Sequence, residues 1–383
     1  MPKNTILNMF RIKTLRSRMF FTFLLLIIFR LGSVLTIPGI NPQALTLYFN
    51  SLTRGNNAFV HYMDFFAGGA FSNFSVFMLG VMPYISTQII MQLALIIFPS
   101  LKRIVQEDGG QKKLQKWIRI STVFVCLLQS LAITYYAASI PSAIVITNQV
   151  FFRLFAMLAV TTGTMIAVWF GDQITARGIG NGISMLIFAG IIARFPSSIW
   201  ELGNMVRNND INIVFVIIVL IMFVGIIYFV IYEQQGQRKI AVHYAKRVIG
   251  RKMYGGANTY IPFKINPSGV IPVIFASSFL MFPLQIASSF GQNVRWVAKI
   301  AGILSPTGMW YNLFLVLLIV FFAYFYTQVT LNPIEIAKNI RENGGSIPGI
   351  RTDKTEKYLQ MVLNRLILPG SLYLALIAVL PSF

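Results

Sequence analysis

Charged residues are scarce in this sequence. Of its 383 residues, 11% are charged and 56% are hydrophobic, and the mean hydropathy is +0.69. Soluble domains carry about 25% charged residues, so this composition excludes an ordinary soluble domain. It indicates an α-helical protein that crosses a membrane several times.

Cysteine and histidine are nearly absent. The one cysteine, Cys126, excludes an intrachain disulfide and a multi-cysteine metal site, and its simplest role is that of a small buried hydrophobe. The two histidines, His61 and His243, lie outside the apolar segments, which excludes an intramembrane Ser–His dyad. The sequence also lacks an HExxH motif and paired aspartates. We therefore expect no enzymatic activity, no cofactor and no metal.

No acidic residue lies near the middle of a predicted span. Ion-coupled transporters need a titratable residue near the midplane, and Arg30 is the one charge that falls inside a predicted span. The sequence therefore favours a passive conduit worked by outside partners. A secondary transporter of a small solute and a non-conducting assembly factor stay open as alternatives.

Nine apolar segments divide the chain, centred near residues 28, 87, 128, 160, 188, 221, 280, 320 and 371. A simple spanning helix needs about 20 residues, and two segments depart from this expectation. The second is unusually polar, and the fifth, Ile183 to Phe195, is short. The first has no small-residue cleavage site close behind it, so we expect an uncleaved anchor.

The basic residues are distributed unevenly between the loops. Most of the 32 lysines and arginines lie at the N-terminus and in every second loop after it, which accounts for the net charge of +21 without a nucleic-acid partner. The positive-inside rule therefore places the N-terminus in the cytoplasm. The opposite loops hold the other group of basic residues: Arg54, Arg153, Arg194, Arg207, Arg295 and Lys299.

Residues 65–98 place polar groups in an apolar setting. The stretch begins with a short segment of small residues and continues as an apolar segment. Its interior holds Pro83, Ser86, Thr87, Gln88 and Gln92. Such groups persist in hydrocarbon only where they meet protein or a water-filled cavity. We predict the wall of a pore or cleft, preceded by a half-buried piece that can move. The seventh span, with Pro272, Ser277 and Ser278, is predicted to be kinked and partly polar as well.

The turn at residues 171–184, GDQITARGIGNGIS, is rich in glycine. It lacks the Gly-Lys-Ser/Thr ending of a P-loop and the strand context of a dinucleotide fold. We predict instead that its glycines let the fifth segment begin close against its neighbours, with Asn181 near the helix N-terminus.

Two predicted cytoplasmic loops, at about residues 233–266 and 332–357, are too long to be simple connections. In the first, RKIAVHYAKR alternates like a strand, and the sequence at 254–257 indicates a turn into a second strand. In the second, Asn332-Pro333 predicts a helix start, Gly344-Gly345 predicts its end, and a tight tip then presents Arg351. We predict that the first loop forms a basic hairpin that projects from the membrane and docks an acidic protein or RNA phosphates; contact with anionic lipid is the alternative. In the second loop, Arg351 is placed to reach a partner.

Several of these stretches closely resemble the SecY family of protein-translocation channels. They are GDQITARGIGNGISMLIFAGIIARFP, FAGGAFSNFSVFMLGVMPYIS, GQRKIAVHYAKR, GVIPVIFASS and NPIEIAKNIRENGGSIPGIR, and they follow the family order from about residue 10 to 380. The resemblance implies an all-α polytopic membrane protein, a clamshell of two inverted five-helix halves at residues 1–210 and 211–383. Nine of the ten expected helices have a counterpart, and the tenth would supply a further ring residue.

The resemblance also implies a function and partners. Unfolded secreted chains would cross the bacterial inner membrane through the channel, and transmembrane segments would leave sideways into the bilayer through a lateral gate. The motor ATPase SecA or the ribosome would drive this transport. The further partners implied are the small membrane subunits SecE and SecG, signal sequences and nascent polypeptides.

Residue roles follow from the same resemblance. A plug at about residues 65–74 would include Phe65, Phe66, Ala67, Gly68, Gly69, Ala70 and Phe71. A hydrophobic pore ring, which gates by excluding water, would comprise Val81, Ile85, Ile187 and Ile274. The lateral gate, between the second and third spans and the seventh and eighth, would include Gln92, Asn181, Ser277 and Ser278. The docking site shared by SecA and the ribosome would comprise Arg238, Lys239, Lys246, Arg247, Arg251, Lys252 and Arg351.

Overall fold

The structure, a computed structural model, describes residues 12–42, 44, 64, 67–107, 109–138, 144–146, 148–209, 211–244, 247–249, 252–254, 258–290 and 308–380. The helices in these ranges are α1 (Lys13–Gly32), α2 (Met82–Ile97), α3 (Pro99–Gln106), α4 (Gly110–Ala138), α5 (Gln149–Arg177), α6 (Gly182–Arg207), α7 (Ile213–Gln235), α8 (Ile271–Phe290), α9 (Met309–Thr330), α10 (Pro333–Glu342) and α11 (Thr355–Val379). The strands are β1 (Gln237–Tyr244), β2 (Arg247–Ile249), β3 (Lys252–Tyr254), β4 (Asn258–Lys264) and β5 (Gly345–Ser346).

Each of the nine predicted apolar centres lies in a helix, namely in α1, α2, α4 to α9 and α11. Within the described ranges, six helices are long and apolar enough to cross a membrane, or seven if the bent pair α2 and α3 counts as one span. These two helices meet at 101°, where Pro99 begins α3 because proline suits a first helical turn. The apolar helices define a multi-pass membrane protein.

The fifth span is longer than predicted. Helix α6 is 26 residues long and continues through Pro196 to Arg207, so the expectation of a short segment ending near Phe195 was wrong. A proline inside a membrane helix is tolerated because neighbouring groups satisfy the carbonyl that it leaves without a donor. The count of basic residues assigned Arg194 to the loop at the end of this segment, whereas it lies well within α6.

Pro83 and Pro272 both occupy first turns of helices. Pro83 is the second residue of α2, and Pro272 is the second residue of α8. A proline in a first turn removes no helical hydrogen bond. The prediction that Pro83 lies in the interior of the second span and that Pro272 kinks the seventh was therefore wrong.

The chain divides into two compact units, residues 1–208 with 281–306 and residues 209–280 with 307–383. The core of the first is built by α4, α5 and the segments that precede α2. It comprises Ile37, Ile40, Phe71, Phe74, Met78, Leu79, Ile133, Phe152, Ala156 and Val160. An antiparallel bridge joins Thr36 to Ser75, and a Cβ atom on Gly163 would lie 2.0 Å from the Val76 carbonyl oxygen. Only glycine allows α5 to pack this closely.

The second unit carries a small antiparallel sheet with strand order β4-β1-β5. Strand β1 pairs with β4 from Gln237 opposite Lys264 to His243 opposite Asn258, and β2 pairs with β3 as a separate ribbon. Of the turn predicted at 254–257, Tyr254 lies in β3 and the other three residues lie outside the described residues. The predicted hairpin of two paired strands is confirmed. Its inner face packs with α10 and α11 in a core of Ile240, Val242, Phe263, Ala337, Ile340, Ile347, Leu359, Val362 and Leu363.

Candidate functional site

Residues 67–74, which we call the plug segment, form a chain of turns ahead of α2. Ala70, Phe71 and Phe74 are at most 3% exposed. Gly68 and Gly69 have φ angles of +64° and +89°, a region that glycine adopts without steric cost. The predicted plug residues from Ala67 to Phe71 therefore lie together in a compact segment; Phe65 and Phe66 lie outside the described residues.

Polar contacts tie the plug segment to α1 and α6. Asp64, which is 6% exposed, forms an ion pair with Arg194 of α6 and accepts a hydrogen bond from the Ser72 amide at 2.8 Å. Arg30 of α1 donates to the Gly68 carbonyl oxygen. Neither Asp64 nor Arg194 was singled out from the sequence. A carboxylate directly before the glycine-rich stub is the signal that could have drawn attention to this contact.

Two of the four predicted ring residues lie at the start of α2, which follows the plug segment in the chain. Val81 and Ile85 are one helical turn apart, joined by a backbone hydrogen bond of 3.2 Å, and are 5% and 4% exposed. Ile187 of α6 and Ile274, in the first turn of α8, are half-buried. All four are apolar, as a constriction that excludes water requires.

The predicted gate residues have different surroundings. Asn181 caps α6, because its side-chain oxygen accepts from the amides of Ile183 and Ser184 at 3.1 and 3.3 Å. Ser277 is buried and donates to the Ile274 carbonyl at 3.0 Å, and Ser278 is buried too. The Gln92 side-chain oxygen is buried without a hydrogen-bond partner in the described part of the chain.

The glycine-rich turn acts as predicted. A Cβ atom on Gly182 would lie 1.9 Å from the Gly171 carbonyl oxygen, so α6 begins in direct contact with α5. The Gly182 amide also donates a hydrogen bond to the Thr175 hydroxyl oxygen of α5 at 2.8 Å. The turn fixes where α6, and with it Ile187 and Arg194, starts.

The predicted docking residues are described only in part. Arg238 and Lys239 lie exposed on β1, with the Lys239 ammonium 4.7 Å from the Tyr260 ring centre. Arg247 and Lys252 lie in β2 and β3. Lys246 and Arg251 lie outside the described residues.

The second loop presents Arg351 as predicted. Asn332 caps α10 through a hydrogen bond from the Ile334 amide at 3.2 Å, and the helix ends at Glu342. A turn with Gly349 at φ +79° then leads to Arg351, which is exposed and precedes a 3-10 turn at Thr352–Lys354.

The two loops form one continuous surface, which the sequence did not predict. Strand β5 of the second loop pairs with β1 of the first, His243 opposite Ser346 and Tyr244 opposite Gly345. The exposed Arg238, Lys239 and Arg351 therefore lie on one folded unit rather than on two independent loops. Among the described residues, no group of three or more His, Cys, Asp or Glu side chains is placed to hold a metal ion.

Solved structures share this fold. One is a protein-conducting channel, with a TM-score of 0.68 and 18% identity over 95% of this chain and 85% of that chain. Another is Sec61 in the canine ribosome–channel complex from the endoplasmic reticulum, with a TM-score of 0.60 and 15% identity over 95% and 90% of the two chains. The fold is that of the protein-conducting channels.

Sequence comparison shows to which family of protein-conducting channels the chain belongs. The sequence profile of the SecY family matches residues 75–383. The chain is 43% identical to the protein translocase subunit SecY of Borreliella burgdorferi over 99% of its length and 86% of that protein. It is 39% identical to the SecY subunit of Escherichia coli over 96% and 84% of the two chains. The chain belongs to the SecY family.

Proposed function

We propose that this chain is the channel-forming subunit of a protein translocase. It conducts unfolded polypeptides across the bacterial inner membrane and releases transmembrane segments sideways into the bilayer. The observation that carries the proposal is the similarity, over nearly the whole chain, to proteins named protein translocase subunit SecY. Those names do not favour a small-solute transporter or an assembly factor. Transport is driven from outside, so the chain itself catalyses no reaction.

The plug and the ring are the proposed seal of the resting channel. The burial of Ala70, Phe71 and Phe74, in the turns that lead towards α2, supports a plug at residues 65–74. The proposed ring comprises Val81, Ile85, Ile187 and Ile274. Apolar side chains exclude water from an empty constriction, yet they conform around any passing chain because their contacts are non-directional.

The proposed docking surface is formed by the two joined loops. Its basic side chains suit an acidic motor surface or ribosomal RNA phosphates, to which Arg donates paired hydrogen bonds. The proposed contacts are Arg238, Lys239, Lys246, Arg247, Arg251, Lys252 and Arg351. Similarity to channels solved with a ribosome supports the ribosome as one partner, and SecA is the proposed motor.

The chain is proposed to work with two small membrane subunits, SecE and SecG, and with the N-terminus in the cytoplasm. The concentration of basic residues at the N-terminus and in alternate loops supports this orientation. Two inverted halves, at residues 1–210 and 211–383, would part at a lateral gate that includes Gln92, Asn181, Ser277 and Ser278.

Reconstitution tests the function directly. The translocase complex containing this chain is placed in vesicles with SecA, ATP and a secretory protein held unfolded, and entry is scored by protection from added protease. We expect protection that depends on ATP and on the signal sequence. Uptake of small solutes without any protection of the secretory protein would instead indicate a transporter. The absence of both solute uptake and protection would indicate an assembly factor.

A further inference from the structure

An ion pair fastens the plug segment to α6. We propose that Asp64 and Arg194, assisted by Arg30, are positioning residues that latch the plug in the closed channel and separate when the channel opens. The inference rests on the proposed function, because that function makes residues 67–74 a plug. It names the contacts that set the plug's resting position.

Asp64 organises the plug segment before any partner is considered. One carboxylate oxygen accepts from the Ser72 amide at 2.8 Å, and the Asp64 carbonyl accepts from the Gly69 amide at 2.9 Å. The carboxylate therefore closes the segment into a compact loop. Its other oxygen is left to accept from the Arg194 guanidinium.

Arg194 contacts two residues, Asp64 and Ser72, that the fold of this loop brings together. The guanidinium nitrogen that contacts Asp64 also donates to the Ser72 hydroxyl at 3.3 Å. A Cβ atom on Gly69 would lie 3.2 Å from the same nitrogen. Gly190 lies four residues before Arg194 on α6, and a Cβ atom on Gly68 would lie 2.7 Å from its carbonyl oxygen. The backbone of the plug segment thus lies flat against one turn of α6.

Arg30 holds the same segment from α1. Its guanidinium donates to the Gly68 carbonyl oxygen and to the Ser33 hydroxyl at 3.3 Å. Two helices of the first unit therefore contact adjacent glycines through arginine side chains. The backbone can approach both arginines because these positions carry no side chain.

The burial of the pair suits a reversible contact. The Asp64 side chain is 8% exposed and that of Arg194 is 32% exposed. A desolvated carboxylate is stable only beside its cation, so the pair specifies one plug position. When the plug segment moves together with Asp64, which is bonded to its Ser72 amide, the carboxylate enters water and regains hydration. The apolar contacts of Phe71 and Phe74 stabilise burial but, being non-directional, do not by themselves define a position.

The test measures plug position and translocation in the same vesicles. The complete translocase complex carries Cys126→Ala and a reporter, Ala67→Cys, whose reaction with a membrane-impermeant maleimide reports exposure of the plug segment. Asp64→Asn and Arg194→Gln are compared with Arg194→Lys, which keeps the charge, and with Arg207→Gln, which removes an exposed arginine from the end of the same helix. The double variant Asp64→Asn with Arg194→Gln removes both charges.

We expect Asp64→Asn and Arg194→Gln each to raise the rate of maleimide reaction and the ion leak of the idle channel about tenfold or more, since each leaves one charge without its partner. For Arg194→Lys and Arg207→Gln, we expect both the rate of maleimide reaction and the ion leak to stay within about twofold of the parent values. For the double variant, we expect values no more than about twofold above those of either single variant. Equal rates in all variants of a complex that translocates would overturn the latch and leave the channel function standing. A parent complex that translocates nothing would overturn the channel function itself.

Discussion

Tyr244 and Gly345 lie directly opposite each other where β1 pairs with β5. A Cβ atom on Gly345 would lie 2.9 Å from the Tyr244 ring and 3.0 Å from Ile340. The absence of a side chain at position 345 therefore allows the second long loop to close onto the first. This contact makes the proposed docking surface one structure.

Gly345→Val should separate the two loops. A branched side chain would overlap Tyr244 and Ile340, and overpacking of this kind costs about 1–3 kcal/mol. We expect faster proteolysis within residues 332–357 and weaker SecA binding, with membrane insertion unchanged. Ser346→Val is the matched control, since Ser346 is the exposed neighbour on the same strand. Equal proteolysis of the two variants would show that the contact does not hold the loops together.

Arg351→Glu should abolish motor-driven export. Arg351 is exposed after a tight turn, and reversing its charge would replace an attraction to an acidic partner by repulsion. The measurement is ATP-dependent protection of a secretory protein, alongside the amount of channel recovered in the membrane. Lys354→Glu, three residues on in the 3-10 turn, changes the net charge equally. If both variants lose export to the same extent, net charge rather than Arg351 itself governs docking.

Much of the architecture could be predicted from the sequence, since long apolar runs determine where helices form. The nine centres, the hairpin at β1 and β4 and the turn before Arg351 follow from local patterns of this kind. Strand β5 could not be predicted, because two residues carry no alternation. The extension of α6 beyond Phe195 was missed, because Pro196 resembles a helix boundary.

The polar contacts of the plug segment were missed for a different reason. Asp64 and Arg194 are 130 positions apart in the chain, and their pairing depends on the packing of α6 against the plug segment. The count of basic residues assigned Arg194, next to the predicted end of the fifth segment, to a loop, where a solvated arginine needs no explanation. Only the tertiary structure shows that it lies inside a helix beside a buried carboxylate.

Gly182→Ala and Gly203→Ala should have opposite effects, although both change α6. A Cβ on Gly182 would overlap the Gly171 carbonyl, whereas one on Gly203 meets no atom within 4 Å. We expect Gly182→Ala to lower the free energy of unfolding by about 1–3 kcal/mol. We expect Gly203→Ala to raise it by up to about 1 kcal/mol, because alanine favours helix over glycine. Thermal unfolding of the purified complex measures both. A destabilised Gly203→Ala with an unaffected Gly182→Ala would contradict the close approach of α5 and α6.

Crosslinking of a translocating chain tests the central claim, that this protein surrounds a polypeptide in transit. In a Cys126→Ala background, single cysteines replace Val81, Ile85, Ile187 and Ile274, and a secretory chain with one cysteine is stalled during translocation. Ile221→Cys is the control, because Ile221 of α7 is 67% exposed on an apolar helix. We predict adducts at the four ring positions and none at 221. A complex that translocates yet gives no adduct at any of the four would contradict the proposed pore.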